Sequence, residues 1–250
     1  MKHRDTKSES RAKRVLHLAK RVFVYMGSVW VLTVLLFRFV NPPITPLIAI
    51  RSAEYTFEDR DVPTRWEWVP LASIPLHVQQ SIVAAEDARF MEHWGIDVSA
   101  VGEAIEESDD RRRGPRGAST ITMQTVKNVF LWPGRSYWRK VIEGVMAPIA
   151  GVLWGKRRTL EIYLNVIEWG EGIYGIQAAS EYYFDRSVGQ LSLEQAAALA
   201  SILPSPRKLS PKNLSVVSRQ RFDRIIREAS AVPLPLHFYS RAAARSRGRS

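Results

Sequence analysis

IPLHVQQSIVAAEDARFMEH, residues 74–93, is the stretch that decides the fold class. Pro75 suits the first turn of a helix. Val78, Ile82, Glu86 and Phe90 follow at intervals of four, which places them on one side of a helix ending at Gly95. A carboxylate is thereby set in an apolar stripe. Downstream, residues 97–108 suit a second helix, and the charged, glycine-containing DDRRRGPRGAS at 109–119 reads as a loop. A helix is expected over 119–128, starting at Ser119 or Thr120. The aromatic break NVFLWPGRSYW spans 128–138. Helices at 137–147, with Pro148 kinking the exit, and at 156–166 come next. Ser192 and Gln195 have the spacing of a capping box before an alanine-rich helix that Pro204 and Pro206 end. A last helix is expected over 215–230. The domain reads as mainly α, without a parallel-sheet signal or a glycine-rich nucleotide fingerprint.

Toward the N-terminus the text changes. Residues 1–21 carry eight lysines and arginines against Asp5 and Glu9. An apolar run over 22–40 follows, broken by Arg38 near its end. Nineteen residues at about 1.5 Å each give roughly 28 Å, close to a bilayer core. Asn41, Pro42 and Pro43 stop the helix. A cleaved signal peptide would have a shorter apolar core and small residues at its end, whereas this run ends FRFVNPP. The basic head favours a cytoplasmic N-terminus and places residues after 40 outside that membrane. Residues 41–70, with five prolines, read as a linker with a short strand at 53–58.

Composition narrows the chemistry. The formal net charge is +11, which suits phosphates or an anionic membrane surface. The chain has no cysteine, so disulfide and thiolate chemistry are excluded. Its five histidines form no His-Glu-x-x-His pattern. A nucleic-acid partner is not expected, because the anchor exports the domain and no recognition motif is present.

Two carboxylates stand out. Glu86 in an apolar stripe would have its charged form disfavoured, a useful property for proton transfer near neutral pH. The plainer reading is a structural ion pair. Glu143 lies in RKVIEG, i,i+4 from Arg139 and i,i+3 from Lys140, the pattern of a surface pair worth a few tenths of a kcal/mol. Paired carboxylates are also what glycosyl transfer uses. Arg116, Gln124, Lys127, Asn128, Arg135, Arg139 and Lys140 form a basic, polar cluster suited to a phosphate. Ser119 could cap the helix there and turn its amides to that phosphate. Phe130, Leu131, Trp132 and Trp138, with Tyr137, read either as core or as a lipid-facing lip.

These residues resemble the peptidoglycan glycosyltransferase family in its monofunctional form. EDARFMEHWG at 86–95, RGASTITMQTVKN at 116–128, RKVIE at 139–143, KRRTLEIYLN at 156–165 and the region from GIYGIQAASEYYF through LSLEQAAALASILPSP resemble its five signatures in order. The resemblance implies a lysozyme-like helical domain with a small membrane-proximal lobe behind an N-terminal transmembrane helix. The boundaries it suggests are a cytoplasmic head at 1–21, an anchor at 22–40, a linker and membrane-proximal segment at 41–70, the glycosyltransferase domain at 71–232, and a basic, disordered tail at 233–250. The implied substrate is lipid II, joined to a growing strand by β-1,4 bonds with release of undecaprenyl diphosphate. Glu86 matches the general base for the acceptor 4-hydroxyl. Glu143 matches the second essential glutamate, positioning the diphosphate or supporting a divalent cation, Mg or Mn. No organic cofactor is implied.

By the same resemblance, Lys127, Arg135 and Lys140 match diphosphate positions, and Ser119 and Gln124 line the cleft. Asp87, Phe90 and His93 shape the site, and Glu161 is structural. Two residues depart from the pattern. Met123 stands where the family has the first of two glutamines, and Arg186 where it has a lysine. The implied location is a bacterial inner membrane with the domain periplasmic. The short segment after the last signature leaves cross-linking to a separate transpeptidase. The competing readings are a lysozyme-like or lytic enzyme and an inactive precursor-binding scaffold.

Overall fold

The computed structural model describes residues 2–102, 119–134, 136–235 and 238, in two compact units, 1–41 and 42–250. The calls on Arg116, Arg135, the loop at 109–118 and most of the tail lie outside the described residues.

The first unit is one helix, α1 (Lys2–Phe37). Its stretch Lys13–Phe37 is 25 residues long and apolar enough to cross a membrane. Ser28 and Thr33 return their hydroxyls to the carbonyls of Val24 and Val29, at 2.9 and 2.8 Å, so these two donors are satisfied within the helix. The helix ends at Phe37, three residues before the expected limit, and Arg38 bonds back to Val34 and Leu35.

The second unit begins earlier than expected. Residues 41–70 are not a linker: they hold helix α2 (Pro46–Phe57), capped by Thr45, and strand β1 (Arg65–Trp66). The strand expected at 53–58 is therefore helical. Leu47 and Ile48 are buried side by side and Tyr55 seven residues after Ile48, about two helical turns, which fits a helix rather than alternation. Helix α3 is Leu76–Glu86, and α4 is described over 98–102. Then come α5 (Ile121–Phe130), α6 (Tyr137–Val166), strands β2 (Glu168–Gly170) and β3 (Ile173–Tyr174), and α7 (Ile176–Phe184). Helices α8 (Leu193–Ile202) and α9 (Val216–Glu228) complete the described fold. The expected capping box at Ser192 and Gln195 is formed. The strands make a small sheet ordered β1-β3-β2, in which β1 runs parallel to β3 and β2 antiparallel.

Three local departures bear on the site. Helix α3 stops at Glu86, not near Gly95, because Asp87 turns its carboxylate to distant partners and leaves helical geometry. Phe90 is accordingly off the helix, yet it is fully buried in the same core cluster as Val78, Ile82 and Leu160. Helix α6 runs through Pro148 and breaks at Gly155, whose φ of 69° only glycine adopts readily. The 94–95 loop lies directly on α6. A Cβ on Gly95 would meet the Ala147 carbonyl carbon at 2.6 Å, and one on Gly151 would meet the Trp94 oxygen at 2.7 Å.

The core is centred on α3, which packs against α8 and α9. The second half of α6 clamps the chain entering the core. Asn165 accepts from Val69 N–H at 2.8 Å and donates to Val69 and Glu161 carbonyls at 2.9 and 2.8 Å. Glu161 accepts from Leu71 N–H at 3.2 Å and pairs with Arg158 at 2.5 Å. Asn165→Ala would orphan both polar groups of Val69. A loss of about 3 kcal/mol is expected, and a thermal melt unchanged by the substitution would remove the clamp from this account.

Candidate active site

Glu86 is the last residue of α3, and its carboxylate is held on both oxygens. Oε2 accepts from Gln124 Nε2 at 2.8 Å, and Oε1 accepts from Arg221 at 3.2 Å. A carboxylate only accepts, so the Gln124 amide must face it with NH2. The Gln124 carbonyl then receives the hydroxyl of Tyr163 at 3.2 Å. Burial, reinforced by Glu86 and Asp87, pushes the Tyr163 phenol well above its ordinary range, so it stays a neutral donor. The chain Tyr163–Gln124–Glu86–Arg221 fixes the carboxylate while leaving its side chain 13% exposed.

Beside Glu86, Asp87 joins two elements. Its Oδ1 accepts from His93 at 2.8 Å, and its Oδ2 accepts from the N–H of Ile121 at 3.0 Å. Thr120, not Ser119, caps α5: its hydroxyl accepts from Met123 N–H and donates to the Gly95 carbonyl. Ser119 is free to accept from Lys140 at 2.6 Å. Lys156 donates to the carbonyls of Phe90 and His93 and lies 4.4 Å from the Phe90 ring centre. Asp87 thus ties the chain after Glu86 to α5, and Lys156 ties Phe90 and His93 to α6.

Glu143 is not a surface pair. It is 2% exposed, on the buried face of α6. Arg139 donates to one oxygen and, at 2.5 Å, to the Gly134 carbonyl. Lys140 reaches the other oxygen at 3.3 Å. Lys127, on α5 one turn beyond Gln124, feels both Arg139 and Glu86. Burial and then Arg139 push its ammonium below the ordinary value, while Glu86 pulls it back up. Lys140 is lowered in the same way, by burial, Lys127 and Arg139. Gln124, Lys127 and Asn128 line a cavity of about 220 Å³, along with Trp132 and Gly134. Gln124 thus joins this cavity to Glu86, and Gly134 joins it to the Arg139–Glu143 pair.

A transglycosylase family model matches residues 55–230. A biosynthetic peptidoglycan transglycosylase of Marinomonas sp. (strain MWYL1) is 42% identical, over 84% of this chain and 94% of its own. Proteins of the same name from Shewanella frigidimarina and Bdellovibrio bacteriovorus are each 46% identical. They match 74% and 80% of this chain, and 77% and 80% of their own lengths. The chain belongs to the transglycosylase family.

Within this transglycosylase, the aromatic block divides. Leu131 is buried and Phe130 stacks on Trp154, with centroids 6.0 Å apart, so neither forms a lip. The C-terminal turn of α5 packs against α6 and draws both inward. Trp132 and Trp138 are exposed. They are joined by residues that sequence reasoning missed: Val141, Val145, Ile149 and Val152 form an exposed apolar stripe along α6, opposite Glu143. Arg221 was also missed. Its spacing from buried Ser218 and Ile225 on α9, three before and four after, was the available signal. Met123 is 5% exposed and packs inward. Arg186 is exposed, beside Arg65, Trp66 and Glu181, and its carbonyl accepts from the Ser180 hydroxyl at 2.6 Å.

Proposed function

We propose that this transglycosylase polymerises lipid II into β-1,4-linked glycan strands and releases undecaprenyl diphosphate. The observation that carries the reading is Glu86 bonded to Gln124, which lines the cleft together with Lys127, one turn further along the same helix. Glu86 takes the proton of the acceptor 4-hydroxyl as that oxygen attacks the donor anomeric carbon. The anomeric carbon–phosphate bond breaks, and the diphosphate leaves with its electron pair. Lys127 and Lys140 receive the growing negative charge, and Glu143 holds Arg139 and Lys140 in place for it. The α1 span anchors the enzyme in a bacterial inner membrane, with its domain periplasmic. The exposed stripe on α6 suits contact with lipid. A separate transpeptidase would cross-link the product.

The expected Mg or Mn ion fits Glu143 poorly. Both of its oxygens face cations, and the described cluster able to hold an ion is Asp87, His93 and Asp97, without Glu143. Hard cations take six or more oxygens. A metal that stimulates turnover would travel with the substrate diphosphate.

Product analysis tests the reading. The full chain in detergent micelles, given lipid II, should yield glycan polymer and undecaprenyl diphosphate. Cleavage of preformed glycan without polymer would establish a lytic enzyme instead, and binding without turnover a scaffold. The pH profile adds a second check. The lysines act while protonated, and both ammonium groups are lowered from 10.5. Activity is therefore lost as pH rises, starting below the ordinary lysine range. The quantity to follow is kcat/KM, which reports the free enzyme. A profile flat up to the ordinary lysine value would contradict the role given to Lys127 and Lys140.

A further inference from the structure

Glu168, at the start of β2, has no part in the chemistry above. Its side chain is 10% exposed, and two guanidinium groups flank it: Arg51 Nε lies 3.7 Å from one oxygen and Arg207 Nε 4.0 Å from the other. Neither contact is short enough for a hydrogen bond. The Glu168 Oε1, both of those Nε atoms and the hydroxyls of Tyr55 and Tyr174 are buried without a hydrogen-bond partner. These groups form one cluster. Arg207 sits over the Tyr55 ring at 5.6 Å, and Glu168 is the register partner of Tyr174. Burial pushes the Glu168 carboxyl up, against the pull of Arg51 and Arg207, as befits a carboxylate lacking donors.

Two members of the cluster, Arg51 and Glu168, reach the cleft. Arg51 and Glu168 line the same cavity as Gln124 and Lys127, and the wall beside them is apolar, with Leu47, Ile167, Leu203 and Pro204. Resting on the function proposed above, we infer that Glu168 and Arg51 form a recognition pocket for the 2-acetamido group of an amino sugar.

The chemistry matches group by group. A carboxylate only accepts and a guanidinium only donates, so an amide satisfies both: its N–H to Glu168 and its carbonyl to Arg51. The acetyl methyl is left for the aliphatic wall. A hydroxyl would satisfy the polar pair but leave that wall uncovered. An anion would meet the Glu168 charge. Held there, the sugar is fixed on the wall that also presents Gln124, and through it Glu86. Glu168 and Arg51 are thus specificity and positioning residues rather than proton carriers.

The test compares lipid II with an analogue carrying hydroxyl in place of the acetamido groups, using the full chain in micelles. The intact enzyme should prefer the acetamido substrate by about 10²-fold or more in kcat/KM, because the analogue leaves buried polar groups unpaired. Glu168→Met should collapse that ratio, and Glu168→Gln, which keeps shape and an acceptor, should retain part of it. An unchanged ratio in either folded variant would overturn the inference. Saturation-transfer NMR with the free N-acetylated disaccharide gives a readout independent of turnover and of any variant. The acetyl methyls should receive the strongest saturation on the intact enzyme, and weak transfer to them would also overturn it. Failure of the intact enzyme to polymerise lipid II would strike the proposed function, while the NMR result would still decide the pocket.

Discussion

Replacing Glu86 by glutamine is expected to cut polymerisation by about 10²- to 10⁴-fold, the usual contribution of a positioned base. The substitution keeps the side chain's volume. It also keeps one oxygen to accept from Gln124 or Arg221, so the domain should stay folded. The competing explanation makes Glu86 merely the partner of Arg221, 3.2 Å away. That explanation predicts equal damage from either side of the pair. The geometry predicts unequal damage: Arg221→Met loosens Glu86 but leaves Gln124 bonded to it at 2.8 Å. Turnover should therefore survive the loss of Arg221 far better than the loss of the Glu86 carboxylate. Equal losses in the two variants, measured at matched folded fraction, would return Glu86 to a structural role.

The second large effect is at Glu143. A solvent-exposed i,i+4 pair is worth a few tenths of a kcal/mol, whereas removing one partner of a buried pair costs about 3–5 kcal/mol. Glu143 is 2% exposed and Arg139 8% exposed, so the larger figure applies. Glu143→Ala would leave the Arg139 guanidinium buried without its anion, and would release Lys140 from its 3.3 Å contact. Chemical denaturation should show a loss of that size. Polymerisation should fall even where the variant is still folded, because Lys140 is no longer held toward the diphosphate. A stability change of only a few tenths of a kcal/mol would mean that the pair behaves as a surface pair after all.

The same pair shows where sequence reading stops. RKVIE carries the i,i+4 spacing, but that spacing is identical on a wet and a buried face. The valines of α6 carry no mark of their face either: Val141, Val145 and Val152 are exposed, and the buried face belongs to Glu143, Ala147, Ala150 and Trp154. The capping box at Ser192 and Gln195 was legible because it closes within four residues. The end of α3 was not, because Asp87 is drawn out of the helix by Ile121, 34 residues away. Residues 41–70 look like a linker from their prolines, but Pro46 stands at the start of α2, where it favours the helix. The partners of Glu86 lie 38 and 135 residues distant, at Gln124 and Arg221. The ordered signatures pointed to Gln124, while Arg221 needed the packed α9.

The most direct test of the central claim is the initial rate of glycan polymer formation from lipid II by the intact enzyme and by Glu86→Gln, in the same micelles and with matched circular dichroism. The account predicts polymer from the intact enzyme and a rate lower by at least about 10²-fold from the variant. Near-equal rates would contradict it.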